Sequence, residues 1–254
     1  MPTRILCVLE VFYGLMNQIT TKTIREIALE APATTRVFEE FKIDYCCGGR
    51  RSIADACADK GIDSSMLIER IGEAITESNE RSGSFEPVYL KPSELIDYIL
   101  RKHHVFTEQE IERLTPLMAK VAMRHAENHP ELLQLQIVFT ELVESLLPHM
   151  RKEEIVLFPY VLELETATNR GLPSPRPSFG NVKNPIRMLM MEHDLDGERL
   201  RKMREIAKDY ELPDGACPSF TALYAGLEEL ELDLHRHIHL ENNVLFPAAA
   251  ELEQ

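Results

Sequence analysis

The chain has 254 residues, a length that fits one large domain or two smaller ones. Hydrophobic residues make up 44% of it and charged residues 28%, which allows a buried core and is typical of a soluble helical protein. The formal net charge of −14 argues against sequence-independent binding to nucleic acid or to anionic membranes, and no apolar run approaches the roughly 18 residues that a membrane span needs.

The first residues are apolar without having the pattern of a targeting signal. The segment 5–16 follows Arg4, but Glu10 interrupts it and no small-residue cleavage site comes after it. We therefore predict no signal peptide and interpret residues 1–15 as a weakly packed extension.

The cysteines are odd in number and two of them are adjacent, which is not the pattern of a secreted disulfide framework. Such usage indicates a reducing compartment, and we expect a cytoplasmic protein. The five are Cys7, Cys46, Cys47, Cys57 and Cys217.

Short helices are predicted in the first 80 residues, because glycine, proline and capping residues divide the sequence there. They cover residues 23–30, 34–41, 52–60 and 64–78, with Ser52 and Asp63 as N-caps of the last two. Between the second and third helices stands D-Y-C-C-G-G (44–49), a turn that cannot be helical throughout. The polar segment 81–87 contains Gly83 and Pro87 and is interpreted as a linker.

Four long helices are predicted in the remainder of the chain. The first runs from Ser93 to about residue 124, and the second from Pro130, a favoured first-turn residue, to about 165. The third begins at Pro185 with Asn184 as its cap and ends near 210, and the fourth runs from Ser219 to near 251. No strand-like alternation is present. The fold class predicted is all-α: a small helical domain (1–82), a linker (83–87) and an antiparallel four-helix bundle (88–254).

Bundle helices two and four share the motif H-x3-E-x3-L-F-P. One copy runs from His149 through Glu153 to residue 159, and the other from His237 through Glu241 to residue 247. Both the histidines and the glutamates are 88 residues apart (237 − 149 and 241 − 153). The bundle is therefore predicted to be two copies of a helix pair.

The spacing within the motif suits a metal site. Residues i and i+4 lie on one helix face, so a histidine and a glutamate placed this way reach the same bundle interior. Imidazole suits iron, and one carboxylate can bridge two ions through its two oxygens. Solvated surface charge would explain a single copy, whereas two copies in register favour a buried metal site, since buried charges need a metal or a partner.

The repeat also discriminates between neighbouring candidates on the same helices. His235 and His239 form an i, i+4 pair of their own, but their counterparts in the first half are leucine and arginine. Glu154 corresponds to Asn242, so the repeat selects Glu153 as the ligand.

Bundle helices one and three each offer a further histidine. His104 and His193 are 89 residues apart (193 − 104), close to the offset of the main motif. On the first helix, however, the apolar residues one turn before His103 are more typical of a core position, so periodicity alone favours His103. From the residues alone, the choice between His103 and His104 stays open.

These motifs together resemble a known family. The bundle is similar to hemerythrin-like domains, and its combination with an upstream D-Y-C-C-G-G segment resembles the Repair of Iron Centres family over nearly the whole chain from about Thr21. The residues that carry the likeness are Asp44–Gly49, Leu95–His104, His149–Pro159, Glu192–Asp194 and His237–Pro247.

The resemblance implies a carboxylate-bridged di-iron centre, with two iron ions held by four histidines and two glutamates. By motif position these are His104, His149, Glu153, His193, His237 and Glu241. It thus prefers His104 to His103. Dioxygen-carrying hemerythrins use five histidines, so the resemblance leaves more room for exogenous ligands or for iron to leave.

Cys46 and Cys47 stand before two glycines, which allow close backbone approach and positive φ. Beside a helix start and two arginines, these thiols are predicted to have thiolate character and a redox or metal-handling role. The alternative is a packed turn in which the cysteines act as small hydrophobic residues.

Three classes of function follow from the resemblance. The leading one is repair of iron–sulfur clusters damaged by oxidative or nitrosative stress, by supplying iron or handling nitric oxide, with damaged iron–sulfur proteins as partners. The others are a dioxygen or nitric oxide sensor or carrier, and a di-iron nitric oxide reductase. Whether the chain is itself an enzyme, and whether it is a monomer or a homodimer, stay open. The N-terminal cysteine module favours repair, because a simple carrier needs no such module.

Overall fold

A computed structural model describes residues 21–46, 48–80 and 87–254 of the chain, with the side chains of 79 and 80 left aside. The predictions for residues 1–20, for Cys47 and for most of the linker fall outside these residues. The chain divides into two compact units, 1–89 and 90–254. Within the described ranges all regular elements are helical, which confirms the all-α prediction. None of the helices there has the length and apolar character needed to cross a membrane.

Four short α-helices lie in the described part of the N-terminal unit, residues 21–46 and 48–89 without 81–86. They are α1 (Ile24–Glu30), α2 (Thr35–Glu40), α3 (Ile53–Lys60) and α4 (Ser64–Glu80). Both predicted N-caps are confirmed: Ser52 Oγ accepts from Asp55 N at 3.1 Å, and Asp63 Oδ1 accepts from Ser65 N at 2.9 Å. Buried apolar side chains from all four helices, such as Phe38, form one core.

The second unit is built from four long helices. They are α5 (92–125), α6 (131–169), α7 (Lys183–Ile206) and α8 (218–252). Residues at helical spacing on each of them, from Ile111 to Leu234, form a continuous apolar core along one half of the bundle. The other half of the bundle holds the buried histidines and glutamates that are predicted to bind metal.

Three of the four bundle helices contain a π-helical turn. These turns are Leu100–His104 in α5, Glu153–Leu157 in α6 and Glu241–Leu245 in α8. In each, the backbone N–H after the turn donates to the carbonyl five residues earlier, as from Phe158 to Glu153. A proline follows the last two turns, and its ring would clash with the carbonyl four residues before it in a regular helix. The widened turn therefore accommodates the proline at the end of both copies of the motif.

The predicted cap of the third bundle helix is wrong. Helix α7 begins at Lys183, so Asn184 lies in its first turn instead of preceding it. The backbone N–H of Val182, before the helix, donates to both carboxylate oxygens of Glu253 at 2.9 Å. Glu253, at the end of α8, thus accepts a backbone hydrogen bond at the N-terminus of α7. The sequence around α7 does not indicate this partner.

Candidate metal centre

All six predicted ligands lie together in the bundle interior. Their exposed fractions are 2% or less, and both glutamates are fully buried at 0%. Each of α5 and α7 contributes one histidine, and each of α6 and α8 contributes a histidine and a glutamate. The members are His104, His149, Glu153, His193, His237 and Glu241.

The six side chains form two overlapping groups of four. In each group the ligand atoms lie within 4.8 Å of one another, which is close enough for one metal ion. One group contains His104 and His237, the other contains His149 and His193, and both contain the two glutamates.

Each glutamate reaches histidines of both groups. Glu153 Oε1 lies 3.3 Å from His149 Nε2, and its Oε2 lies 3.5 Å from His104 Nε2. Glu241 Oε1 lies 3.0 Å from His237 Nε2, and its Oε2 lies 3.3 Å from His193 Nε2. The two carboxylates therefore span the two groups, which is the arrangement that bridging ligands require.

The nitrogen and oxygen atoms of the six side chains are placed to bind two metal ions, and several of them make no hydrogen bond with one another. Among the described residues, His104 Nε2, both oxygens of Glu153 and Glu241 Oε2 are buried and make no hydrogen bond. The Nε2 atoms of His149 and His193 face each other at 2.8 Å. Buried polar atoms without partners are costly in a metal-free protein, and coordination of cations would satisfy them.

Charge coupling within the site keeps the carboxylates ionised. Burial raises the pKa of Glu241, but His237 and His193 outweigh it and hold that pKa well below its usual range. Burial lowers the pKa of His149, and Glu153 outweighs it, raising the pKa to about 9. Burial lowers the pKa of His237 and is the dominant effect there, which favours the neutral imidazole that a metal needs.

The Nδ1 atoms of three ligand histidines donate to side chains that sequence reasoning did not assign a role. Such partners fix the orientation and tautomer of a metal-binding imidazole. The pairs are His104 with Glu154 at 3.0 Å, His149 with Glu192 at 2.8 Å, and His193 with Asn242 at 2.9 Å. The repeat held a signal for two of them, because Glu154 and Asn242 each directly follow a motif glutamate.

The choice between His103 and His104 has a structural explanation. Both residues are only 2% exposed, since the π-helical turn at 100–104 directs two successive residues inward. Periodicity therefore indicated a core residue correctly at His103, while His104 is the one grouped with the glutamates. His103 Nδ1 lies 3.0 Å from both carboxylate oxygens of Asp233.

The cysteine turn differs in part from expectation. Cys46 is buried at 5% exposure, and its Sγ lies 3.2 Å from Asp44 Oδ1, so a carboxylate, which can only accept, faces the thiol. Gly49 is needed for close approach, since a Cβ there would lie 2.3 Å from the Tyr45 carbonyl oxygen. The positive φ expected of the glycines is not observed at Gly48 or Gly49. The roles assigned to Cys46 and Cys47 stay predictions.

Comparison with known proteins agrees with this architecture. Residues 95–249 match the hemerythrin HHE cation-binding domain, and residues 20–75 match the ScdA_N domain, described as a domain of unknown function (DUF542). The iron-sulfur cluster repair protein ScdA of Staphylococcus haemolyticus is 35% identical over 229 residues, which cover 90% of this chain and 98% of the relative.

This chain belongs to the Repair of Iron Centres family. The iron-sulfur cluster repair protein YtfE of Musicola paradisiaca is 31% identical over 229 residues, covering 90% of this chain and 96% of that protein. YtfE of Escherichia coli is 32% identical over 224 residues, covering 88% and 94%. Since these alignments span both units, the Repair of Iron Centres likeness includes the cysteine turn as well as the bundle.

Proposed function

We propose that this protein repairs damaged iron–sulfur clusters and that it does so with a di-iron centre in its bundle. The observation that carries the proposal is that Glu153 and Glu241 belong to both groups of ligand atoms. Two buried carboxylates shared between two pairs of histidines suit two cations side by side. The names of the curated relatives support repair as the purpose of such a centre.

The donor set suits iron and differs from that of structural zinc sites. Imidazole and carboxylate together suit iron, whereas structural zinc usually takes four closed ligands with thiolates among them. When bound, iron would supply redox chemistry and a ferrous ion that can be transferred. The two glutamates, which belong to both groups, would hold the ions together with the two imidazoles of each group.

The surroundings of the ligands would allow iron to leave the site and be supplied to a damaged cluster. Each group offers two imidazoles and two shared carboxylates, which leaves coordination positions that the protein does not fill. Glu154 and Glu192, which hold two of the ligand histidines, have side chains 21% and 25% exposed. A partly exposed glutamate therefore lies between each of these two histidines and solvent. A small movement of either glutamate would remove the hydrogen bond that orients its histidine and so weaken metal binding.

A repair assay tests the proposal. The reduced, iron-loaded protein is mixed anaerobically with a cluster enzyme inactivated by nitric oxide, while a ferrous chelator follows iron release. We expect activity to return, and the chelator to remove iron within minutes. Recovery no better than with an equal amount of free ferrous iron would contradict a dedicated repair role. Iron that resists the chelator and binds dioxygen or nitric oxide reversibly would identify a sensor or carrier instead, and turnover of nitric oxide with an electron donor would identify a reductase.

A further inference from the structure

A buried hydroxyl beside the metal ligands has no partner. Thr107 is 0% exposed, and its Oγ1 makes no hydrogen bond with the part of the chain that the structure describes. A threonine inside a helix often donates to the backbone carbonyl four residues earlier. Thr115, Thr140 and Thr166 of the bundle do so at 2.7–2.8 Å. The Thr107 hydroxyl is not used by its own helix in this way, and a buried donor without an acceptor is costly.

The equivalent position in the other half of the repeat holds a second oxygen of this kind. The 89-residue offset that relates His104 to His193 takes position 107 to position 196 (107 + 89). Asp196 is 1% exposed, and its Oδ1 accepts from Arg199 at 2.7 Å. Its Oδ2 makes no hydrogen bond with the described residues. Each group of metal ligands thus has a buried oxygen available to a ligand, three residues after one of its histidines.

These two oxygens lie on the side of the histidines away from the shared glutamates. Helices α5 and α6 are antiparallel, as are α7 and α8, because the start of the first helix in each pair lies beside the end of the second. Glu153 and Glu241 come four residues after their histidines on α6 and α8, whereas Thr107 and Asp196 come three residues after theirs on α5 and α7. All four are buried on the same helix faces as those histidines, so the histidines lie between the glutamates and the two oxygens.

The glutamate side of the histidines is apolar. Phe158 and Phe246 each follow a shared glutamate by one π-helical turn. The ring centroid of Phe158 lies 5.8 Å from that of His104. The ring centroid of Phe246 lies 5.9 Å from that of His193. A small ligand at the metal centre would therefore meet phenylalanine on one side and a hydroxyl and a carboxylate on the other.

We infer that Thr107 helps to determine which small molecule binds at the metal centre: its hydroxyl donates a hydrogen bond to a ligand in the coordination positions that the six side chains leave. The ligand class is a small nitrogen- or oxygen-containing molecule with a lone pair, such as nitric oxide or azide. Of the two oxygens, that of Thr107 supplies the donor, because the carboxylate of Asp196, paired with Arg199, accepts. The inference rests on the proposed metal centre, and it assigns Thr107 to the ligand and not to the metal.

Azide is the probe, added to the full chain loaded with ferric iron. Thr107→Val keeps the shape of the side chain and removes the hydroxyl, while Thr107→Ser keeps the hydroxyl. Thr115→Val is the matched control on the same helix, because the Thr115 hydroxyl already donates to its own backbone. Titration measures the affinity for azide, and the infrared stretching band of bound azide reports the hydrogen bond.

We expect Thr107→Val to weaken azide binding about 10-fold or more, which is typical for loss of a hydrogen bond to a charged acceptor. The infrared band should shift in the same variant. Thr107→Ser and Thr115→Val should keep the affinity and the band of the parent protein.

A second measurement needs no metal. A buried hydroxyl without a partner costs stability, and a methyl group in its place does not. Urea unfolding of metal-free Thr107→Val should therefore give a free energy of unfolding equal to or above that of the parent protein, although azide binding falls. A loss of stability would show that the hydroxyl has a partner within the protein, and it would overturn the inference.

Other outcomes would also overturn it. Azide affinity and an infrared band unchanged in Thr107→Val would show that the hydroxyl does not reach the ligand, and equal effects of Thr107→Val and Thr115→Val would show that the change acts through the helix. A parent protein that holds two irons but binds no azide would have no position for such a ligand, with the metal centre intact. A parent protein that takes up no iron would instead refute the metal centre on which the inference rests.

Discussion

The buried histidine His149 should make the stability of the metal-free protein depend on pH. Its pKa is about 9 in the folded state against an ordinary 6.5, because Glu153 outweighs the effect of burial. A pKa raised by folding stabilises the folded state fully below 6.5, and this contribution is lost as the pH rises through 9. At 1.36 kcal/mol per pKa unit, the difference between the folded and the ordinary pKa of His149 corresponds to about 3 kcal/mol of unfolding free energy.

The assay is urea unfolding in the presence of a metal chelator, at several pH values between 6.5 and 9.5. The free energy of unfolding should fall across this range, by an amount on the order of 3 kcal/mol. In His149→Gln that part of the pH dependence should disappear. Metal binding should show the opposite trend, because the metal must displace the proton from His149, so affinity should increase with pH up to about 9.

A flat stability profile for the metal-free protein between pH 6.5 and 9 would refute this reasoning. So would an equal slope in the parent protein and in His149→Gln, since the titrating group would then lie elsewhere.

Three further predictions concern the centre and its neighbouring unit. Glu153→Leu should lower the iron content below two per chain, whereas Glu144→Leu, an exposed change on the same helix, should leave it unaltered in metal analysis; equal losses would show that the buried glutamate is not a ligand. A fragment of residues 87–254 should fold and take up iron, judged by circular dichroism and metal analysis, because it contains all six ligands; an iron-free fragment would mean that the N-terminal unit completes the site. Replacing Cys46 and Cys47 with serine should slow cluster repair more than it lowers iron content, and equal effects on both would argue against a separate role for the cysteine turn.

Sequence reasoning located the helices well, because amphipathic periodicity and capping chemistry are local properties. It also selected six side chains that the structure brings together, because a duplicated motif carries information that one copy lacks. Glu153 and Glu154 differ little as neighbours on a charged helix, and only their counterparts in the other half separate them.

The parts that could not be predicted depend on non-local geometry. A π-helical turn breaks the 3.6-residue period, so periodicity could not show that His103 and His104 both point inward. The roles of Glu192 and Asp233 depend on which helices are neighbours in space. The N-terminus of α7 is satisfied by Glu253, from the far end of the chain, which no local rule includes.

The central claim is that two shared carboxylates hold two irons in one bundle. X-ray absorption of the anaerobically loaded full chain, together with metal analysis, tests it most directly. The account predicts two irons per chain and an iron–iron distance of about 3.5 Å, as in other two-metal sites. One iron per chain with no metal neighbour at that distance would contradict it.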